Sequence, residues 1–243
     1  MKNVVIVSGA RTPVGSFGGS LKSVSVVDLG TVAMKETLKK VNLRPVAEDE
    51  LVAYGPQTLK DQGMIELEKS GYDYDDSLAP ISIDEVIMGN VLQAGQGQNT
   101  SRQAMIKAGI PRQTTAFTIN KICGSGLKAI ALGAQAIMTG QADVILAGGQ
   151  ESMSNAPMAL MNARWGHRME LTGVGDVHDL MVYDGLYEIF YGYHMGMTAE
   201  NIAEKYEISR EEQDKLALLS HTRALTAVKD GTFAQEIEPV TIT

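Results

Sequence analysis

Scarcity shapes a first reading of these 243 residues. There is one cysteine, Cys123, which excludes an intramolecular disulfide framework and fits a reducing compartment. Positive charge is short: 21 Lys and Arg against 29 Asp and Glu leave a net charge of −8 and a pI near 5.0. That balance argues against a protein that grips a phosphate backbone, so no nucleic acid is expected as a partner. Apolar runs are short, none approaching the roughly 18 residues of a membrane span, and no membrane partner is expected. The opening "MKNVVIVSGARTP" has too short an apolar part for a secretory signal and no small-residue cleavage site, so it reads as a first strand. A soluble, cytoplasmic protein is the expectation. The sequon Asn99-Thr100-Ser101 is then expected to stay unmodified. Internal repeats and low-complexity tracts are lacking.

What is present is ordinary globular material, 44% hydrophobic and 21% charged, in a chain long enough for one large domain or two modest ones. Short β-branched runs alternate with longer periodic segments, which predicts βαβ units and an α/β fold with a mostly parallel buried sheet. "NVVIVSG" (3–9) predicts a strand buried on both faces. Beyond a glycine-rich loop, Ser25 to Asp28 reads as a capping-box-like helix start. Val26, Leu29, Ala33, Met34, Leu38 and Val41 then keep a 3.6-residue period. Residues 44–80 hold nine acidic against three basic residues, predicting a solvated acidic insertion with one short helix at 57–69. Further strands are predicted at 84–91, 116–122 and 143–149, with a helix ended by Gly109 between the first two. From Ser152 the chain is rich in Met, Gly and aromatics with weak periodicity, which predicts a loop-built lobe. Ser209 and Glu212 form a capping box for a closing helix that runs to about Lys229, before Gly231. The organisation expected is 1–151 and 152–243.

Cys123 falls where the predicted strand 116–122 turns into a helix, whose face is read as Leu127, Ile130, Ala131, Ala134, Ile137 and Met138. Gly124 and Gly126 permit backbone angles and close approaches that a Cβ would block. A thiol at a helix N-terminus meets unpaired N–H groups and the positive end of the dipole, both of which favour thiolate. The same N–H groups suit an oxyanion on a carbonyl attacked by sulfur. This is a nucleophile elbow built with Cys. The plainer reading is a small buried hydrophobe, as free cysteines often are, and local pattern alone leaves the two about even. A rival of another class is the G-x-G-x-x-A run of Gly124, Gly126 and Ala129, opening a helix within a βαβ unit, with Glu151 as the ribose-binding acid of a dinucleotide site. Against it, Asn120 and Lys121 break the strand where such folds keep an apolar run.

The segment Ile119-Asn120-x-x-Cys123-Gly124-Ser125-Gly126-Leu127-Lys128-Ala129-Ile130 resembles the active-site segment of thiolases, specifically acetyl-CoA C-acetyltransferases. The likeness extends through "VVIVSGARTPVGSFGGSL", "DEVIMGNVLQAGQGQNTSRQA", "DVILAGGQESMSNAP", "ARWGHRM" and "DGLYEIFYGYHMGMTAENIAEKYEISREEQD", most of the chain outside 44–80. It implies a thiolase-like fold, here the first α/β half plus part of an inserted loop lobe. It also implies that Cys123 takes an acyl group from acyl-CoA as a thioester, which a second acetyl-CoA attacks to give acetoacetyl-CoA, with thiolysis the reverse. Leu186, His194 and Met195 would flank the pantetheine arm or acyl end, and no cofactor is implied because the coenzyme A thioester is substrate. A homodimer or dimer of dimers is implied, with strands pairing across a two-fold. From spacing alone His194 reads as a structural histidine, and the resemblance reverses that preference. His167, His178 and His221 lack ligand-type spacing and read as surface or structural. "MSNAPMALM" reads as adaptable packing.

Three departures from the family pattern stand out. Residues 44–80 replace a short connection. Gln150 stands where the family usually has Met, a tolerated packing change. Lastly, the family's Gly-His-Pro histidine, Asn-Glu-Ala segment and second cysteine are not in these residues. The expectation is therefore a truncated chain that does not complete a condensation alone, and that exposes the face normally covered by a second half. A non-catalytic dimerising scaffold remains an open third class.

Overall fold

The computed structural model describes residues 2–60, 63–169, 171 and 175–242. The chain divides into two compact units, Met1–Asn155 with Glu238–Thr243, and Ala156–Ile237.

The first unit begins with a 3-10 turn and helix α1 (Val26–Lys39). Ser25 caps α1 by accepting the Asp28 N–H at 3.0 Å and donating to the Asp28 carboxylate at 2.6 Å. The free end of that carboxylate takes Lys107 at 2.7 Å, tying α1 to a later helix. Strand β1 (Leu43–Pro45), short helices α2 (Asp49–Tyr54), α3 (Gln57–Lys60) and α4 (Glu66–Gly71), and strand β2 (Ala79–Ile81) follow, with β1 and β2 pairing in parallel. Strands β3 (Glu85–Gly89), β4 (Thr115–Ile119) and β5 (Ile145–Gly149) form a parallel sheet in the order β4-β3-β5. Helix α5 (Thr100–Lys107) links β3 to β4, and α6 (Ser125–Thr139) links β4 to β5. The two right-handed crossovers run in opposite directions along the sheet, from β3 to β4 and then from β4 past β3 to β5, which places these helices on opposite faces.

The period of two along β3 sorts the faces. Val86 and Met88 join Val26, Met34, Leu38, Ala104 and Met105 in the main core. Gly89 faces α6, as do Ile145 and Ala147 of β5, which meet Gly133. So α6 contacts the sheet with its small residues, Ser125, Ala129 and Gly133, all buried. The large apolar face read from the sequence points the other way: Leu127 is 76% exposed, and Ile130 and Met138 are exposed too. Periodicity finds a stripe of large residues but cannot say whether large or small side chains meet the sheet, and here the close helix–sheet approach selects the small ones. The window Ile122–Thr139 also has the length and mean hydropathy (1.3) of a membrane span, more than the sequence reading allowed. In the fold it is the sheet-packed α6 and the turn before it.

Two more expectations are corrected. Residues 3–9 form no strand, and Val5, Ile6 and Val7 are largely exposed. Apolar β-branched composition marks sheet material, but a strand exists only through a ladder partner, and none pairs with this run among the described residues. Residues 44–80 are not merely solvated. Tyr74 is buried with its hydroxyl donating to the Ala108 carbonyl at 3.0 Å, and Tyr72 and Leu78 pack on the core. Glu68 is 2% exposed because its carboxylate accepts the Ile65 N–H at 2.7 Å and the Arg112 N–H at 2.5 Å. A count of charges does not see which of them are hydrogen-bonded inward. The single helix predicted at 57–69 is two, α3 and α4.

In the second unit β6 (Met158–Leu160) and β7 (Val177–Asp179) pair antiparallel, α7 (Leu180–Gly185) follows, and β8 (Tyr187–Glu188) and β9 (Tyr193–His194) form a small hairpin. Helices α8 (Met195–Lys205) and α9 (Arg210–Lys229) close the unit. No described residue of it is buried.

Candidate functional site

Because β3, β4 and β5 are parallel and in register, their last residues, Gly89, Ile119 and Gly149, meet on one edge. Ligands of open α/β sheets lie beyond that edge. The turn of residues 120–124 leaves β4 there and delivers Cys123, whose thiol is exposed, one residue before Gly124, the N-cap of α6. The buried-filler reading of Cys123 is thereby set aside.

The turn is cross-braced. Asn120 Oδ1 accepts the Ile122 N–H at 2.9 Å. Ser125 Oγ, itself buried, accepts the Lys121 N–H at 2.7 Å and donates to the Ile122 carbonyl at 2.6 Å. The Gly124 and Ser125 N–H groups reach back to the carbonyls of Lys121 and Ile122 at 3.1 and 3.0 Å. Between these braces Ile122 is held at φ 46°, the left-handed region that a β-branched residue adopts at a cost on the order of 1–3 kcal/mol. The turn's strain therefore sits on the residue before Cys123. Neither flanking glycine needs to be one for its angles: Gly124 has φ −89°, and a Cβ on Gly126 would make only ordinary contact, 3.6 Å from Gly149 Cα. The close approach is supplied by Gly89, where a Cβ would fall 2.5 Å from the Gly126 nitrogen and from the Ser125 carbonyl carbon. A glycine ending the apolar run "VIMG" was the signal available in the sequence.

Around this turn the sheet edge is polar, and Glu151 and Asn90 are hydrogen-bonded there. Glu151 accepts from Asn90 Nδ2 at 2.7 Å and from the N–H groups of Val91 and Leu92 at 2.8 and 3.1 Å. Asn90 Oδ1 takes the buried Thr100 hydroxyl at 2.8 Å. Glu151, the acid read for the ribose of a dinucleotide, is thus spent on the loop after β3. Ala129 is fully buried against the sheet. Asn99, in the sequon, caps α5 through the Arg102 N–H at 3.1 Å, and Thr100 and Ser101 are buried.

The site residues expected in the second unit are brought together there. Tyr187 pairs with His194 across the β8–β9 hairpin, and the Met195 N–H donates to the Leu186 carbonyl at 2.8 Å. His194 is the N-cap of α8, its Nδ1 accepting the Gly196 N–H at 3.0 Å. His178 lies edge-on to Tyr183, ring centroids 5.3 Å apart. Among the described residues no group of three or more His, Cys, Asp and Glu is arranged to hold a metal.

An exposed cysteine on a strand-to-helix turn at the carboxyl edge of a parallel sheet, followed by a lobe of small hairpins and helices, points to the class. The sequence model of the thiolase N-terminal domain matches residues 4–65 and 70–243, and the chain belongs to the thiolase family. Among its relatives is an acetyl-CoA acetyltransferase of Syntrophomonas wolfei, 48% identical over 241 residues, which are 99% of this chain and 52% of that protein. A probable acetyl-CoA acyltransferase of Staphylococcus aureus strain COL is 45% identical over 242 residues, 100% of this chain and 52% of its own length. The chain spans about half the length of the curated relatives it matches. The family assignment displaces the dinucleotide-binding reading.

Proposed function

We propose that these residues supply the acyl-accepting half of an acetyl-CoA C-acetyltransferase. The observation that carries the reading is the exposed Cys123 thiol on a strained, cross-braced turn at the carboxyl edge of the sheet. Cys123 Sγ attacks the acetyl-CoA carbonyl, the thiol proton leaves, and CoA departs as the S-acetyl enzyme forms. Exchange of one thioester for another is nearly neutral in free energy, which suits a thiol over a hydroxyl. A second acetyl-CoA, deprotonated at its α-carbon, then attacks the enzyme thioester to give acetoacetyl-CoA and regenerate the thiolate; thiolysis runs the same steps backwards. The sequence holds one cysteine and neither Gly-His-Pro nor Asn-Glu-Ala. All four histidines, at 167, 178, 194 and 221, belong to the second unit. We assign the proton transfers to groups outside these 243 residues. Leu186, His194 and Met195 flank the pantetheine arm in this reading. The outer edge of β4 is unpaired among the described residues, and a second copy pairing there forms the dimer.

The test is native incubation with radiolabelled acetyl-CoA followed by digestion. The expected result is one acetyl group, on the peptide carrying Cys123, lost in Cys123→Ser and retained in His194→Ala at a higher half-saturating acetyl-CoA concentration. Label on lysines only, or equal label in Cys123→Ser, overturns the reading.

A further inference from the structure

At the opposite end of the sheet, residues 44–80 enclose a cavity of about 280 Å³ against the turn that precedes β4. Its walls combine three cations, Arg44, Lys60 and Arg112, with the apolar side chains of Val46, Val52 and Met64. We propose that this cavity is a binding site for a small organic anion with an apolar body, of the short-chain carboxylate class.

Charge segregation points there first. The segment 44–80 contains three basic residues among nine acidic ones, in a chain of net charge −8, yet two of those three, Arg44 and Lys60, line this one cavity. Glu68, the one acid among the described residues of the wall, is already committed within the fold. Its carboxylate accepts the N–H groups of Ile65 and Arg112 and faces the Arg112 guanidinium at 3.8 Å. Among the described residues the wall thus carries a positive excess, on Arg44 and Lys60. Arg44 Nε donates to the Leu78 carbonyl at 3.1 Å, which fixes the plane of its guanidinium and suits the fork to a carboxylate.

Size and polarity narrow the class further. The volume lies near the roughly 300 Å³ at which pockets for drug-sized ligands begin, so the occupant is small. The apolar side chains favour a hydrocarbon part over a bare inorganic ion. The site does not compete with acyl-thioesters at Cys123. Arg112 and Gln113 precede β4 and the Cys123 turn follows it, so the two are separated by the strand, about 17 Å at about 3.3 Å per residue.

Calorimetric titration of the 243-residue chain at fixed ionic strength tests this, with sodium hexanoate, inorganic phosphate and the neutral isostere hexan-1-ol as probes. Hexanoate is expected to saturate a single site, and hexanol and phosphate to bind about ten-fold more weakly or worse, the scale of one lost charged hydrogen bond. Arg44→Gln is expected to weaken hexanoate by a similar factor; should that variant misfold, Lys60→Gln at the end of α3 takes its place. Absence of saturable hexanoate binding, equal binding of hexanol or of phosphate, or unchanged hexanoate affinity in the folded variant overturns the proposal.

Discussion

Helices α1 and α9 start the same way and end in different states. Each is opened by a serine, Ser25 or Ser209, whose hydroxyl accepts the N–H three residues on, at 3.0 and 3.2 Å. In α9 the box is closed by Glu212 accepting the Ser209 N–H at 2.9 Å, and Arg210 pairs with Asp214 one turn on at 2.7 Å. Yet the 14-residue α1 buries Val26, Val27, Gly30, Met34 and Leu38, while the 20-residue α9 buries none. Capping decides where a helix begins; only an apolar stripe set against another element gives it tertiary stability. The contrast extends to the units as wholes. The first has a core of fully buried side chains around Met34, Ile87, Met105 and Ile110, and the second has no buried described residue. The strained turn at Ile122 lies in the unit with the core, whose packing can hold it.

The largest expected effect comes from filling the closest approach in the first unit. Gly89→Ala puts a Cβ 2.5 Å from the backbone of the Cys123 turn, where no flexible side-chain end can give way. The expected cost is about 3 kcal/mol or more in urea unfolding of the first unit. An unchanged midpoint would show that the turn is not clamped by the sheet. Next, Ser125→Ala strips the Lys121 N–H and the Ile122 carbonyl of their partner. It should cost roughly 1–3 kcal/mol and slow acetylation of Cys123, whereas Thr, which keeps the hydroxyl, should restore much of the labelling rate.

The next test runs in the opposite direction. Gln150 is 6% exposed, and its amide nitrogen and oxygen have no hydrogen-bond partner among the described residues. It lies against Gly30 of α1 and is the position where the family pattern has Met. Gln150→Met should raise the stability of the first unit by about 1–3 kcal/mol, read as a higher unfolding midpoint, because an unpaired buried amide is replaced by an apolar chain of similar length.

A smaller effect is expected from acid. Burial works against the charge on Asp28, but the hydrogen bonds from Lys107 and Ser25 and the charge of Lys107 outweigh it and hold the carboxyl below its ordinary 3.8. For Asp73 burial likewise opposes the charge, and Lys39 and Lys35 outweigh it. Values lowered on folding add stability above the unfolded value, and that stability is lost as pH falls through the folded one. Unfolding midpoints of the first unit should therefore drop below about pH 4. Asp28→Asn and Asp73→Asn should flatten that drop by up to about 1 kcal/mol each, these being partly exposed pairs. The smallest effect belongs to the second unit: Ser209→Ala should cost α9 about 1 kcal/mol. It should be visible as faster amide exchange in the first turn of α9, with the urea midpoint of the first unit unmoved. A shift in that midpoint would break the comparison.

Much of this was legible in the chain. The starts of α1 and α9, the end of α5 at Gly109 and the positions of β3, β4 and β5 follow from capping residues, a left-handed glycine and β-branched runs, all of them local. Cys123 as the candidate nucleophile was legible from its place between strand and helix. What was not legible depends on partners distant in sequence. Ile122 carries the strained angle because Asn120 and Ser125 brace it, and nothing in "NKICGSG" ranks Ile122 above Gly124 for that part. Gly89 matters only because α6 is laid across it. Glu151, two residues past β5, gains its task from the loop after β3.

The sequence by itself determined the alternation of strand and helix, the cysteine at the turn and the family. These rest on short-range preferences and on residues adjacent in the chain. The tertiary structure alone decided which face of α6 meets the sheet, whether residues 3–9 find a ladder, and that the acidic segment 44–80 turns Glu68 and Tyr74 inward. Each of those depends on the free energy of contacts between residues far apart, and a periodic pattern names a candidate face without naming what covers it.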